Sequence, residues 1–183
     1  MLVKALLGVA AVIVLVVGGL AVIVAMRPSE FRIERRTTIA APAPAVFVQV
    51  NDFHNWQAWS PWAKLDPEAK NSFEGAPAGQ GAMFAWAGNS KVGEGRMTIT
   101  ESRPSELVRI KLEFLKPFAA TNTAEFTFKP EGDRTAVTWS MFGHNSFISR
   151  AVFLFVNMDK TLGSEFEKGL ASMKLAAEAS AKN

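Results

Sequence analysis

The sequence predicts an α+β domain in which an antiparallel sheet wraps around one long C-terminal helix, with a membrane-spanning helix in front of it. Three observations support this prediction. The chain starts with an uncharged apolar run, continues with alternating apolar and polar residues, and ends with apolar residues at every third or fourth position. A one-sided sheet must bury its apolar face, and the final helix is long enough to cover it.

The composition excludes several classes of protein. A length of 183 residues suits one domain and a short appendage. The sequence has no Cys, which excludes disulfides, Cys-based metal sites and Cys nucleophiles. Because 20 Lys and Arg are scattered among 17 Asp and Glu, we expect no nucleic-acid partner. Fourteen Phe and five Trp without a Tyr favour apolar contacts. We expect neither a metal nor another cofactor.

The N-terminal run, Ala5–Met26, is long enough to cross a membrane. As a helix it measures about 33 Å, and the hydrocarbon core of a bilayer is about 30 Å thick. The alternative is a cleaved signal peptide. Signal peptides have an apolar core shorter than this run, followed by a cleavage site with small residues. The best candidate for such a site here, Ile23-Val24-Ala25, matches that pattern poorly. We therefore expect an uncleaved single-pass anchor over residues 1–28 and a folded domain over residues 29–183.

The charges that flank this run indicate its orientation. Lys4 precedes it, whereas Arg27, Arg32, Arg35 and Arg36 follow it. By the positive-inside rule, this bias places the domain in the cytoplasm, anchored in a bacterial-type inner membrane. The last three arginines also belong to a predicted strand, which weakens their contribution to the orientation.

Alternation with a period of two predicts the strands. Phe31, Ile33 and Ile39 share one face of the first strand, and polar residues occupy the other face. About six more strands are expected between Ser72 and Met141. The clearest of them cover residues 83–86, 96–101, 107–114, 124–128 and 137–141.

Two short helices are predicted between the first strand and the second. Pro42 and Pro44 end the first strand, and proline is well tolerated in the first turn of a helix. The second helix is expected to end at Pro61. It lies in the segment 51–62, which holds three Trp at intervals of three residues: Trp56, Trp59 and Trp62.

The C-terminal segment predicts a long amphipathic helix. Its apolar residues recur every three or four positions: Met158, Leu162, Phe166, Leu170 and Met173. Gly163 and Gly169 lie among them. These glycines either allow the helix to approach the sheet closely or leave volume beneath it, unless they merely reflect loose packing.

Short segments spread through the domain resemble one known superfamily. They are Ile39–Phe47, Asn51–Trp56 with Trp59–Trp62, Gly93–Ile99, Met158–Gly163 and Phe166–Leu170. In this order they resemble the SRPBCC, or START-like, superfamily and its polyketide cyclase/dehydrase type, over residues 30–178. The resemblance implies a helix-grip fold like that of Bet v 1, with seven antiparallel strands around a long helix and a hydrophobic cavity between them. Members of the superfamily bind lipids, sterols or polyketides, and some catalyse aromatic ring closure.

The inward-facing aromatic residues are the main candidates for a binding site. We expect the ligand cavity to be lined by Phe84, Trp86, Phe114, Phe126, Phe128, Trp139, Met141, Met158, Leu162 and Phe166. The alternative is that these side chains fill a closed core. Trp56, Trp59 and Trp62 either form the mouth of the cavity or are structural.

The residues capable of acid–base chemistry give no catalytic pattern. His54 and His144 lie in polar surroundings, which favours exposed histidines over a general base or metal ligands. Asp52 is expected to start a helix. Gly93-Glu94-Gly95 lacks the other residues of a phosphate loop, so we expect a strand junction or bulge there. We assign no catalytic residue.

The sequence therefore favours a membrane-anchored domain that binds a small hydrophobic, lipid- or polyketide-like ligand in an internal cavity. Two alternatives remain. One is a polyketide cyclase or dehydratase with His54 or His144 as the base. The other is a protein-interaction module with a vestigial cavity.

Overall fold

The computed structural model describes residues 2–181. Its helices are α1 (Leu2–Met26), α2 (Ala43–Asn51), α3 (Trp56–Trp59), α4 (Phe147–Val152) and α5 (Met158–Ser180), with a 3₁₀ turn at Phe53–Asn55. Its strands are β1 (Glu30–Ile39), β2 (Lys70–Gly75), β3 (Ala82–Ala87), β4 (Glu94–Arg103), β5 (Leu107–Lys116), β6 (Ala120–Glu131) and β7 (Arg134–His144).

The seven strands form one antiparallel sheet in the order β1-β7-β6-β5-β4-β3-β2. The predicted fold class is confirmed: the sheet wraps around α5, and an apolar helix precedes it. The alternation in β5 shows why the sheet is one-sided. Val108 and Ile110 are fully buried. Arg109 and Lys111, which alternate with them, reach the outer surface.

Charged pairs line the outer face of the sheet. Glu113 accepts hydrogen bonds from Arg96 at 2.7 Å and lies 2.8 Å from the ammonium group of Lys111. These two cations hold the pKa of Glu113 at about 2, below its ordinary value, because they stabilise the carboxylate. The predicted bulge at Gly93-Glu94-Gly95 is also confirmed, since the pairing of β4 with β5 shifts register between Glu94 and Gly95.

The short helices close one end of the sheet. The two predicted helices are present, and Ser60 ends the second one immediately before Pro61. Asp52 accepts a hydrogen bond from the backbone N–H of His54, which confirms that it starts this helical stretch. Val46 and Val50 of α2 are fully buried against the sheet.

Helix α5 lies across the inner face of the sheet. Its N-cap is Asn157, whose side chain accepts a hydrogen bond from the backbone N–H of Lys160. A Cβ at Gly169 would lie 2.8 Å from a ring carbon of Trp139, so the prediction that this glycine permits close approach is confirmed. The same holds at Gly163, where a Cβ would overlap the guanidinium group of Arg35.

Helix α1 is joined to the sheet by only three residues, Arg27–Ser29. Within the described residues, one helical segment, Leu6–Met26, is long and apolar enough to cross a membrane, although a signal sequence near the N-terminus meets the same criterion. The end of α1 packs on α4, a helix that the sequence did not predict. Val24 is 1% exposed, whereas Leu15 in the middle of α1 is 76% exposed.

Candidate functional site

The interior between the sheet and α5 is closed at the end that α2 and α3 cover. Ile39, Val108 and Val137 point inward there and are fully buried. The C-terminal half of α5 packs over them, with Leu170 and Met173 also buried. This end of the interior is a solid hydrophobic core.

The opposite end of the interior, beside α1, is only half-buried. We call it the open end, and it consists of Phe31, Trp86, Leu112, Met158 and Leu162. Strand pairing places Phe31 and Leu112 in one row, because Phe31 pairs with Gly143, Gly143 with Asn122, and Asn122 with Leu112. The N-terminal half of α5 covers this row with side chains that remain partly accessible to solvent.

A stack of aromatic rings separates the two ends. Trp139 lies parallel to Phe166 with ring centroids 4.1 Å apart, and it stacks on Phe126 at 4.9 Å. Trp59 and Trp62 contact Trp139 edge-on at 5.6 and 5.9 Å. These contacts fill the middle of the interior, in the offset and edge-to-face geometries that aromatic rings prefer.

The ten predicted cavity residues therefore fall into two groups. The structure buries five of them: Phe126, Phe128, Trp139, Met141 and Phe166. It leaves the other five half-buried: Phe84, Trp86, Phe114, Met158 and Leu162. Contact of either group with a ligand stays a prediction.

Indole N–H groups distinguish the tryptophans. Those of Trp56 and Trp59 donate to the carbonyls of Val50 and Gln49, at 3.0 and 2.9 Å, and both rings are buried. The indole N–H of Trp139 is buried and has no hydrogen-bond partner within residues 2–181. A buried donor without an acceptor is unfavourable. An acceptor placed next to this indole N–H would therefore stabilise it.

Arg35 fixes the N-terminal half of α5 to the sheet. Its guanidinium group donates to Glu167 at 2.7 Å, to the carboxylate of Asp159 at 3.0 Å and to the backbone carbonyl of Asp159 at 3.0 Å. The absence of a side chain at Gly163 leaves room for this group. The arginine lowers the pKa of Asp159, and the two carboxylates raise the pKa of Arg35, because each charge stabilises the other.

The sequence prediction missed this contact, although its signal was present. Arg35 occupies the same face of β1 as Phe31 and Ile33, and a charge on an apolar face needs partners. Asp159 and Glu167 are eight residues apart and share one face of α5. A search for acidic residues at this spacing on the covering helix could have found the pair.

The family model described as "Polyketide cyclase / dehydrase and lipid transport" matches residues 30–178. The chain belongs to this polyketide cyclase/dehydrase family. No curated protein sequence matches it. The description of this family covers polyketide cyclases, dehydrases and lipid transport.

Solved structures share the fold of this family member. A protein from Thermobifida fusca is 20% identical, with a TM-score of 0.61 over 80% of this chain and 92% of its own. Protein CV1439 from Chromobacterium violaceum is 13% identical, with a TM-score of 0.58 over 83% and 99%. The di-domain ARO/CYC StfQ from the steffimycin biosynthetic pathway is 12% identical, with a TM-score of 0.59 over 84% of this chain and 52% of StfQ. At these identities the likeness shows the fold alone.

The histidines of this family member lie on the surface, as the sequence predicted. The His54 ring bonds to Asp52 at 2.8 Å and stacks on Phe73, whereas His144 lies 3.5 Å from Glu30. Both side chains are more than half exposed. Glu94 pairs with a lysine on β5. His144 follows Gly143, which pairs with Phe31 of the open end, so strand alternation directs the His144 side chain to the outer face of the sheet.

Two grooves of the family member lie on the outer face of the sheet. One, of about 570 Å³, runs across β1, β7, β6 and β5, and the other, of about 320 Å³, runs across β2, β3, β4 and β5. Neither opens between the sheet and α5.

Proposed function

We propose that the chain is a membrane-anchored domain that binds a small hydrophobic ligand at the open end. The observation that supports this proposal is the difference in burial along the interior. Apolar side chains are fully buried at the end under α2 and α3, whereas Phe31, Leu112 and Leu162 stay half-buried. An apolar molecule lying on them would remove this surface from water.

Apolar burial gives the expected strength of binding. Removing roughly 200 Å² of apolar surface from water contributes about 5 kcal/mol at about 25 cal/mol per Å², before the cost of association. Displacing side chains of the open end lowers this gain. We therefore propose a ligand whose apolar area exceeds that of the side chains it displaces, such as a lipid- or polyketide-like molecule.

Trp139 favours a ligand that also carries a polar atom. Its indole N–H is buried without an acceptor among residues 2–181. A carbonyl or hydroxyl oxygen on the ligand would accept this hydrogen bond if the ligand reaches past the open end to the aromatic stack. Mostly apolar pockets with few polar groups are typical of small-molecule sites.

The anchor in this proposal is the N-terminal helix. Residues 1–28 form the anchor and residues 29–183 the binding domain; Met1 and residues 182–183 lie outside the described part of the chain. Arg27 follows the span directly, and by the positive-inside rule it favours a domain on the cytoplasmic side of an inner membrane. Arg35, whose side chain bonds to α5, belongs to the folded domain and contributes less to this orientation.

Native mass spectrometry of the full chain, gently extracted from its membrane, tests the proposal. We expect a small apolar molecule to co-purify with the wild type. Leu162→Trp enlarges a half-buried side chain at the open end and should reduce the fraction of protein that carries the adduct.

Leu175→Trp is the matched control. Leu175 lies on the same helix and is 72% exposed, so this variant should keep the adduct. A wild-type spectrum without an adduct, together with no binding to a panel of fatty acids, sterols and diacylglycerols, would contradict the proposal. Equal loss of the adduct in both variants would place the ligand elsewhere.

A further inference from the structure

The segment after β7 exposes apolar side chains that the fold does not use. Between Asn145 and Met158 the chain carries a single charged residue, Arg150. Ile148, Val152 and Phe155 in this segment are 71%, 50% and 81% exposed. Such a cluster of large exposed apolar residues is unusual for a surface in contact with water and marks an interaction site.

This segment is fixed to the end of α1. Arg150 donates hydrogen bonds to the carbonyls of Arg27 at 3.0 Å and Ala25 at 3.4 Å. These carbonyls lie at the C-terminal end of α1, where the helix lacks intrahelical donors and a cation is favourable. Val24 is buried in the contact between α1 and α4. The segment therefore cannot lie far from the end of the span.

A second group of exposed apolar residues lies at the same end of the sheet. The β5–β6 hairpin carries Phe118, which is 79% exposed, and Leu115, which is 56% exposed. The pairing of Phe114 with Ala120 and of Asn122 with Gly143 places this hairpin at the end where β7 leaves the sheet. We call Phe118, Ile148, Val152 and Phe155 the apolar ridge.

We propose that the apolar ridge inserts into the bilayer that holds α1, an inference that rests on α1 being the anchor of the proposed function. The segment Leu6–Met26 is about 32 Å long as a helix, close to the thickness of about 30 Å of a hydrocarbon core. Met26 then lies at the boundary of that core. The contact of Arg150 with Ala25 and Arg27 places the ridge at the same level.

The charges around the ridge fit a lipid surface. Arg27 follows the span, and Lys116, which also pairs with Glu94 at 2.7 Å, ends β5 beside the hairpin that carries Phe118. Phosphate groups of lipids attract such cations, and aromatic and aliphatic side chains enter the boundary by about 5–10 Å. With the ridge inserted, the open end of the interior lies against the membrane, and a lipophilic molecule can pass between the two without crossing water.

Single labels on the full chain test this proposal, because the sequence has no Cys that would need to be removed. An environment-sensitive fluorophore is attached to Phe155→Cys or Phe118→Cys, in vesicles of phosphatidylcholine and phosphatidylglycerol that contain nitroxide-labelled lipid. Both positions are exposed, so labelling does not disturb the core. Asp133→Cys, in the hairpin at the other end of the sheet, is the control for water. Leu15→Cys is the control for the span.

We expect blue-shifted emission and nitroxide quenching at positions 155, 118 and 15, and water-like, unquenched emission at position 133. Quenching at 15 but not at 155 and 118 overturns the ridge proposal and leaves the anchor intact. No quenching at 15 overturns the anchor and, with it, this inference. A blue shift at 155 that depends on protein density and resists nitroxide quenching indicates a second copy of the chain and also overturns the proposal.

Discussion

Two leucines on one face of α5 provide a direct test of how the interior is packed. Leu162 and Leu170 are eight residues apart on the same helix, and they differ in burial. Leu170 is 2% exposed in the solid core, whereas Leu162 is half-buried at the open end. Because both are leucines within the same helix, the change in helix propensity on replacement by Ala is nearly the same for both.

Leu170→Ala should destabilise the domain by about 3 kcal/mol, since a buried Leu→Ala change loses apolar burial and leaves a cavity. Leu162→Ala should cost only about 1 kcal/mol, because water already reaches part of the side chain and no closed cavity forms. At about 2–4 °C per kcal/mol for a domain of this size, the losses in Tm are about 6–12 °C and 2–4 °C.

Thermal unfolding of the full chain in detergent, followed by tryptophan fluorescence and near-ultraviolet circular dichroism, measures both values. The wild type and Leu175→Ala, a change at an exposed position on α5, are the references. Equal losses of Tm for the two variants would refute the reasoning. They would mean that the interior is packed alike along its whole length, and the open end would lose its support as a binding site.

Three other variants test contacts of the sheet and the helix. Gly169→Ala should lower stability by about 1–3 kcal/mol, because the new Cβ would meet the ring of Trp139 at 2.8 Å; an unchanged or higher Tm would contradict this close contact. Glu113→Gln should lower Tm at neutral pH, where Arg96 stabilises the carboxylate. Since the folded pKa is depressed to about 2 from 4.5, the difference from wild type should vanish as the pH falls through this range, and a constant difference would contradict the ion pair. Arg35→Gln should speed amide hydrogen exchange in the N-terminal half of α5 only, and uniform acceleration along the helix would contradict its role there.

Much of the fold could be predicted because the periods of apolar residues reflect burial directly. Val108 and Ile110 alternate with charged residues in β5, and Leu170 and Met173 recur at helical spacing in α5. The short helices could be predicted from proline and Asp52, which act locally on the backbone. These signals depend on neighbours in sequence, so a single chain contains them.

The elements that were missed depend on contacts between distant segments. Helix α4 shows no apolar stripe facing the core, because its apolar residues face α1 and the surface. Strand β2 was included in the expected number of strands but not located, because it is exposed along its length and carries little alternation to detect. The ion pairs of Arg35 join residues more than 120 positions apart. For the same reason, the aromatic pattern could not show how far the rings of Trp139 and Phe166 fill the interior.

The connection between α1 and the sheet limits what the domain can reach. Three residues, Arg27–Ser29, extend to about 10 Å at most, and Arg150 shortens this further by bonding at the junction. With α1 embedded in a lipid bilayer, such a short connection prevents the domain from carrying a bound molecule across a compartment to another organelle or envelope layer. Any hand-over of a lipophilic molecule would have to occur within the same leaflet, or to a recipient that travels to the domain.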